Sequence, residues 1–213
     1  MGTDQSAILG DPKGVASAAI APRPKGDPDR RLALLNAAIE VVAEKGIEGV
    51  THRAVAIAAG VPLGATTYYF ADKDEIIIEA MRLVDERNVA MVKTILRDCL
   101  ERKLDIVETM IELTEELSVR RTELLIVAYR FSLAPLNRIG LVEASRNVQT
   151  HWSSAVEEHV SRLTDVHTAR LFLLVLEGIA VRTVSLGERP TRDDIAIFYR
   201  RLVTGHVGPG TRE

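Results

Sequence analysis

Residues 51–70 read Thr-His-Arg-Ala-Val-Ala-Ile-Ala-Ala-Gly-Val-Pro-Leu-Gly-Ala-Thr-Thr-Tyr-Tyr-Phe, two short helical stretches parted by Gly60-Val61-Pro62. This break constrains the fold more than any other feature. Pro62 drives Val61 toward an extended conformation and itself suits the first turn of a new helix. Gly60 can take the positive φ that a tight turn demands, and Ala56, four residues earlier, is small enough where two helices touch. Thr51 is placed to cap the first helix, whose apolar side is Val55, Ala56 and Ala59. The second helix runs from Leu63 to about Tyr69. Two helices crossing steeply over so short a turn form a helix-turn-helix.

The charge pattern gives this unit a direction. The chain carries 30 acidic residues and a net charge of −3, yet no Asp or Glu falls between Thr51 and Ala71. Phosphates repel carboxylates, so an acid-free window in an acidic chain suits a local DNA-facing surface. The second helix of such a unit lies in the major groove with its first residues near base edges. Leu63 and Gly64 open that helix. Thr66, Thr67, Tyr68 and Tyr69 are its expected accessible side chains, offering hydroxyls, methyls and aromatic edges. Thr51, His52 and Arg53 flank it. Lys73 stands at the start of the next helix, where an ammonium and unpaired N–H groups suit one phosphate.

The rest of the chain also reads as helix. Asp27-Pro28 starts a helix with Leu32, Leu35, Ile39 and Val42 as its stripe, and Gly46 ends it. Asp72 and Glu75 form a capping-box variant before a long helix reaching about Arg102. Its stripe of Ile77, Met81, Val84, Asn88, Met91 and Ile95 is expected to face a larger domain, and Ile76, Ala80 and Leu83 the short helices. Further helices are expected over roughly 104–118, 121–133, 136–163, 166–186 and 192–204, punctuated by Pro135, Gly187 and Pro190. The first 26 residues, with Pro12, Pro22 and Pro24, lack a sustained period and read as a disordered arm.

The fold class is therefore all-α. A three-helix DNA-binding domain with the helix-turn-helix (27–75) precedes a larger helical ligand-binding and dimerisation bundle (76–205), with a flexible tail over 206–213. Hydrophobic residues make up 46 % and charged residues 27 % of the 213, an ordinary globular balance. The single cysteine, Cys99, excludes an intrachain disulfide. No secretory signal is legible, and the longest apolar run, Leu171 to Val181, is broken by Glu177, well short of the ~20 residues a bilayer span needs. A cytoplasmic protein without membrane contact is expected.

Residues about 30–76 resemble the N-terminal domain of the tetracycline-repressor (TetR) family of bacterial regulators. The resemblance rests on Ala37-Ala38-Ile39-Glu40-Val41-Val42-Ala43-Glu44-Lys45-Gly46, on Ala58-Ala59-Gly60-Val61, and on Tyr68-Tyr69-Phe70 with Lys73 and Glu75. It implies that the tyrosine-containing helix reads the major groove and that Lys73 holds a phosphate. Thr67 and Leu63 depart from the family, which often has Tyr and Lys at those positions. The resemblance further implies a repressor that binds a palindromic double-stranded operator as a homodimer and is released by a small-molecule effector.

For the dimer, the helix 166–186 is the best candidate, because a helix apolar on every side must be covered on every side. Leu171, Leu174, Val175 and Ile179 are its expected interface residues. Ile195, Phe198 and Leu202 of the final helix would complete a four-helix interface. Candidate ligand contacts are Asn88 and Met91 of the long helix, Tyr129, Arg130, Trp152 and Glu177, polar or aromatic groups beside apolar neighbours. Glu177 is also a candidate partner for Arg182.

The alternative is a helical-bundle enzyme or metal-binding protein without DNA binding. The sequence holds no paired-carboxylate site, His-Glu-x-x-His helix, phosphate loop or serine nucleophile elbow. His151 and His159 share a helix face without a third matched ligand. No catalytic residue, metal or cofactor is expected.

Overall fold

The computed structural model describes residues 27–133 and 139–205. The expected N-terminal arm, the C-terminal tail, and Pro135 with residues 136–138 lie outside the described residues. Among the described residues there are nine α-helices and no strand: α1 (Pro28–Lys45), α2 (His52–Ala58), α3 (Leu63–Tyr69), α4 (Lys73–Glu101), α5 (Ile106–Glu115), α6 (Thr122–Leu133), α7 (Ile139–Val160), α8 (Val166–Leu186) and α9 (Arg192–Thr204). None is long and apolar enough to cross a membrane.

Local chemistry sets most of these boundaries. Asp27 caps α1 by accepting from the Asp29 amide at 3.0 Å, with Pro28 in the first turn. Thr51 accepts from Ala54 N at 3.0 Å to start α2. Asp72 accepts from Asp74 N and Glu75 N at 2.9 Å each, while Glu75 reaches back to Ala71 N at 2.5 Å. The reciprocal box therefore closes on the residue before the cap. α9 carries a full capping box between Thr191 and Asp194. Each such cap satisfies an amide that has no partner within its own helix.

Between α2 and α3, Gly60 sits at φ +64° and Pro62 becomes the residue before α3 rather than its first member. A Cβ on Gly60 would meet nothing within 4 Å. The position thus needs glycine for its backbone angle, not for space.

The interior divides into two apolar clusters. The first joins α1, α2, Phe70 and the start of α4, with Leu34, Val55, Phe70 and Ile76 fully buried. The buried face of α1 is Leu34, Leu35, Ala38, Val41 and Val42. Leu32, expected in the stripe, is 42 % exposed, because the α2 and α4 contacts fall one residue round the helix. Along α4, Ile76, Ile77, Ala80 and Met81 all enter this cluster, together with Val127, Phe131 and Leu141 from α6 and α7. The cluster therefore spans both faces of α4's first turns: Met81 and Val84 also line a cavity with residues of α6, α7 and α8, while Leu83 lies with Leu32 and Leu35 of α1. The second cluster gathers the far half of α4 with α5, α7, α8 and α9 around Met110, Leu113, Phe172 and Tyr199. Its buried polar pair, the hydroxyls of Thr114 and Tyr199, meets at 2.6 Å.

Candidate nucleic-acid interface and effector cavity

α3 has only two turns, so each of its residues has a fixed role. Thr66 points inward and is fully buried. Its hydroxyl donates to Leu63 O at 2.8 Å and lies 3.4 Å from His52 O on α2. The expectation that Thr66 is accessible is corrected: its hydroxyl is used up inside the helix pair. The outward face carries Leu63, Gly64, Thr67 and Tyr68, with Tyr68 53 % exposed. Tyr69 is half-buried and its ring meets that of Tyr68 edge-on, centroids 5.0 Å apart. Thr51 and Arg53 are exposed at the start of α2, and His52 is half-buried. Lys73 is exposed as the first residue of α4. Behind this surface Arg31 stacks over the Phe70 ring at 5.3 Å and pairs with Glu79 at 3.1 Å. The exposed surface offers hydroxyls, one aromatic pair and two cations, Arg53 and Lys73; α2 and α3 carry no carboxylate, and an apolar cluster lies behind them.

The second site lies deeper. α4, α6, α7 and α8 enclose a cavity walled by Met81, Val84, Leu125, Phe131, Trp152 and Leu176 among others. Its volume is about 80 Å³. The polar groups on the wall are few. Asn88, Met91, Tyr129, Trp152 and Glu177, five of the candidate ligand contacts, all line it. Burial, and then the charge of Glu177, push the Tyr129 phenol up to about 12. Glu177 itself is pushed up by burial, with the Gln149 amide at 3.3 Å working the other way. Arg182 turns away from Glu177 and pairs with Glu188. A wider π-helical turn, Glu116–Arg120, follows α5 and brings Leu117 and Arg121 to the same wall. Such turns often mark functional sites.

Arg130 does not line the cavity. Its guanidinium leaves α6 and donates to Val42 O at 2.9 Å and to Ala43 O, the last carbonyls of α1. The expected ligand contact is therefore a cation at a helix C-terminus, where it shares Val42 O with the Gly46 amide and the helix dipole favours it. The cavity residue that sequence reasoning missed is Asp85. It is 6 % exposed, and its Oδ2 meets His151 Nδ1 at 2.5 Å. Its position one turn from Met81 and Asn88 on the α4 stripe was the available signal.

The likeness to known proteins follows this geometry. Residues 34–80 match the model for bacterial regulatory proteins of the tetR family. The HTH-type transcriptional regulator PksA of Bacillus subtilis (strain 168) is 30 % identical over 188 residues, covering 84 % of this chain and 88 % of its own. The chain belongs to the TetR family. The solved structure of the multidrug binding protein EbrR complexed with ethidium is 34 % identical, with a TM-score of 0.67 over 83 % of this chain and 99 % of that one. The TetR-family member SCO1917 from Streptomyces coelicolor A3 is 33 % identical, with a TM-score of 0.67 over 82 % and 98 %. This chain is thus a TetR-family transcriptional regulator with a helix-turn-helix of the DNA-binding type.

Within that family fold, the expected dimer residues separate into two sets. Ile195 is fully buried and Ile179 is 9 % exposed, both in the second cluster. They are corrected to core, because the inner sides of α8 and α9 pack on α5 and α7 rather than outward. Leu171, Leu174 and Phe198 are 48 %, 63 % and 50 % exposed. Val175 and Leu202 are partly buried at the edge of the core. Gly178 and Val181 continue the exposed side of α8.

Proposed function

We propose that this TetR-family regulator is a repressor that binds a palindromic operator as a homodimer, reads it with α3, and is released by a small organic effector in the cavity. The observation that carries this reading is the continuity of α4. The helix begins at Lys73, a few residues after α3 ends at Tyr69, and passes along the cavity wall through Asn88 and Met91. Displacing it at one end moves the other.

Reading the groove falls to Thr67 and Tyr68, with Tyr69 beside them. Thr51, His52, Arg53 and Lys73 serve the phosphates, and Leu63 and Gly64 bring backbone close to them. The exposed apolar side of α8 and α9, centred on Leu171, Leu174 and Phe198, is the surface for the twin subunit. Large apolar side chains so exposed in one copy are the usual mark of a partner. EbrR, whose structures hold ethidium, malachite green and proflavin, supports a cavity for small organic molecules here too.

Volume gives the mechanism. Pockets for drug-sized ligands measure ~300–1,000 Å³, above the volume of about 80 Å³ of this cavity. An effector must therefore part α4, α6, α7 and α8 as it enters. α6 is tied to α1 through Arg130, and α4 runs into the head, so the widening changes the spacing of the two recognition helices. A coupling of ~1–3 kcal/mol weakens operator affinity roughly 5- to 150-fold.

Selection of bound fragments from genomic DNA by the purified protein tests this. A two-fold symmetric consensus protected by one dimer, with transcription from it lowered in vitro, is expected. Enrichment of no sequence, or binding as a monomer, overturns the reading.

A further inference from the structure

We propose that the cavity selects effectors carrying a positive charge on an apolar or aromatic body, with Asp85 as the residue that reads the charge. The proposal rests on the reading of this cavity as the effector site.

Asp85 is the only carboxylate among the described residues that is buried. One oxygen, Oδ2, takes His151. The other, Oδ1, is buried and meets no hydrogen-bond donor. A carboxylate in low dielectric normally has every lone pair engaged, because an unpaired one carries the cost of lost hydration. His151 relieves that cost only in part. Its side chain is 55 % exposed, so water screens the charge it would bring. The balance is visible in the acid itself: burial pushes the Asp85 carboxyl up more than the hydrogen bond and charge of His151 bring it down. The site therefore holds an acceptor that no group of the described chain completes.

The remaining charges on the wall point the same way. Glu177 of α8 lines the cavity together with Asp85 of α4. Among the described residues Arg121 is the one cation lining the cavity, and its Nε donates to Glu116, which does not line it, at 2.6 Å. Two carboxylates with one diverted guanidinium make the interior attractive to cations and repellent to anions. Trp152 and Tyr129 add aromatic faces on which a cation is favoured. A neutral apolar molecule would fill the same walls but leave Asp85 Oδ1 without a donor, which is the discrimination that buried polar groups impose.

The alternative role for Asp85 is a tie between α4 and α7 through His151. The two roles differ in what a charge-neutral substitution does. A tie affects stability and treats all ligands alike, whereas a charge reader changes the preference between matched ligands.

The chain has one tryptophan, Trp152, and it lies in the cavity wall, so its emission reports occupancy in the full-length protein. The probes are N-methylphenanthridinium and phenanthridine, which share a ring system and differ in charge at neutral pH. The unaltered protein is expected to bind the cation about tenfold tighter or better. Asp85→Asn is expected to remove that preference by weakening the cation about tenfold, with phenanthridine affinity held within about twofold. Equal affinity of the two probes for the unaltered protein overturns the proposal, whatever the variant does or however it folds. A preference that survives Asp85→Asn in a protein of unchanged circular dichroism overturns the role of Asp85. Failure of both probes to alter Trp152 emission overturns instead the reading of the cavity as an effector site.

Discussion

The head and the body of this regulator are both helical, yet they are built to opposite requirements. The head encloses an apolar interior in which Leu34, Ala38, Val55, Phe70 and Ile76 are fully buried. Most of its polar chemistry is on the outside, the buried Thr66 hydroxyl excepted. The body hides its chemistry: Asp85, Glu177 and Tyr129 lie against a narrow cavity between helices. Reading DNA requires side chains held in fixed register on a stiff base. Sensing a ligand requires an interior that can open.

The sharpest test of that contrast is Phe70→Ala. A fully buried phenyl in the head is worth ~3–5 kcal/mol, and the loss should show in urea unfolding together with loss of DNA binding. A change below ~1 kcal/mol would mean that the head core relaxes as readily as the body. Next in size is Phe198→Glu on the outer side of α9. In a single copy this residue is half-exposed, so little stability is lost, but a charge facing its own twin should weaken the dimer by ~2 kcal/mol or more. Sedimentation over a range of concentrations measures it. A dimer that persists unchanged places the interface elsewhere.

A smaller effect separates two neighbours on α3. Tyr68→Ala should lower operator affinity about tenfold, the order of one lost groove contact, and leave the melting curve in place. Thr66→Val should do the reverse, costing ~1 kcal/mol of stability with its lost hydrogen bond and leaving affinity unchanged. Matching behaviour of the two variants in gel shifts would overturn the inward and outward assignment. The smallest expected effect is at Gly64. A Cβ there meets nothing within the protein, so Gly64→Ala should stabilise α3 by ~0.5–1 kcal/mol. If backbone approaches phosphate at this point, the same change weakens operator binding in the gel-shift assay. Unchanged binding removes Gly64 from the interface.

Much of the head was legible from residues alone. The start of α2 at Thr51, the turn at Gly60 and the span of α3 follow from caps, a required positive φ and the limits set by proline, all of which act within a few residues. The boundaries of α4, α6, α8 and α9 follow the same way. Such local terms do not depend on what a helix packs against.

The tertiary structure decided which face of each helix meets which neighbour. Periodicity places Thr66 with Thr67, Tyr68 and Tyr69 on one short helix, but the crossing of α3 over α2 turns Thr66 inward and leaves Thr67 and Tyr68 outside. Periodicity likewise groups Ile179 with Leu171 and Ile195 with Phe198, while packing on α5 and α7 buries one of each pair. Arg130 stands between cavity residues in sequence, yet α6 carries it to the carbonyls that end α1. Asp85 became significant only when folding brought it beside His151, 66 residues along the chain, and left its second oxygen without a donor. A helical repeat determines which side chains share a face; the desolvation and pairing of each depend on elements far away in sequence, which only the folded chain brings together.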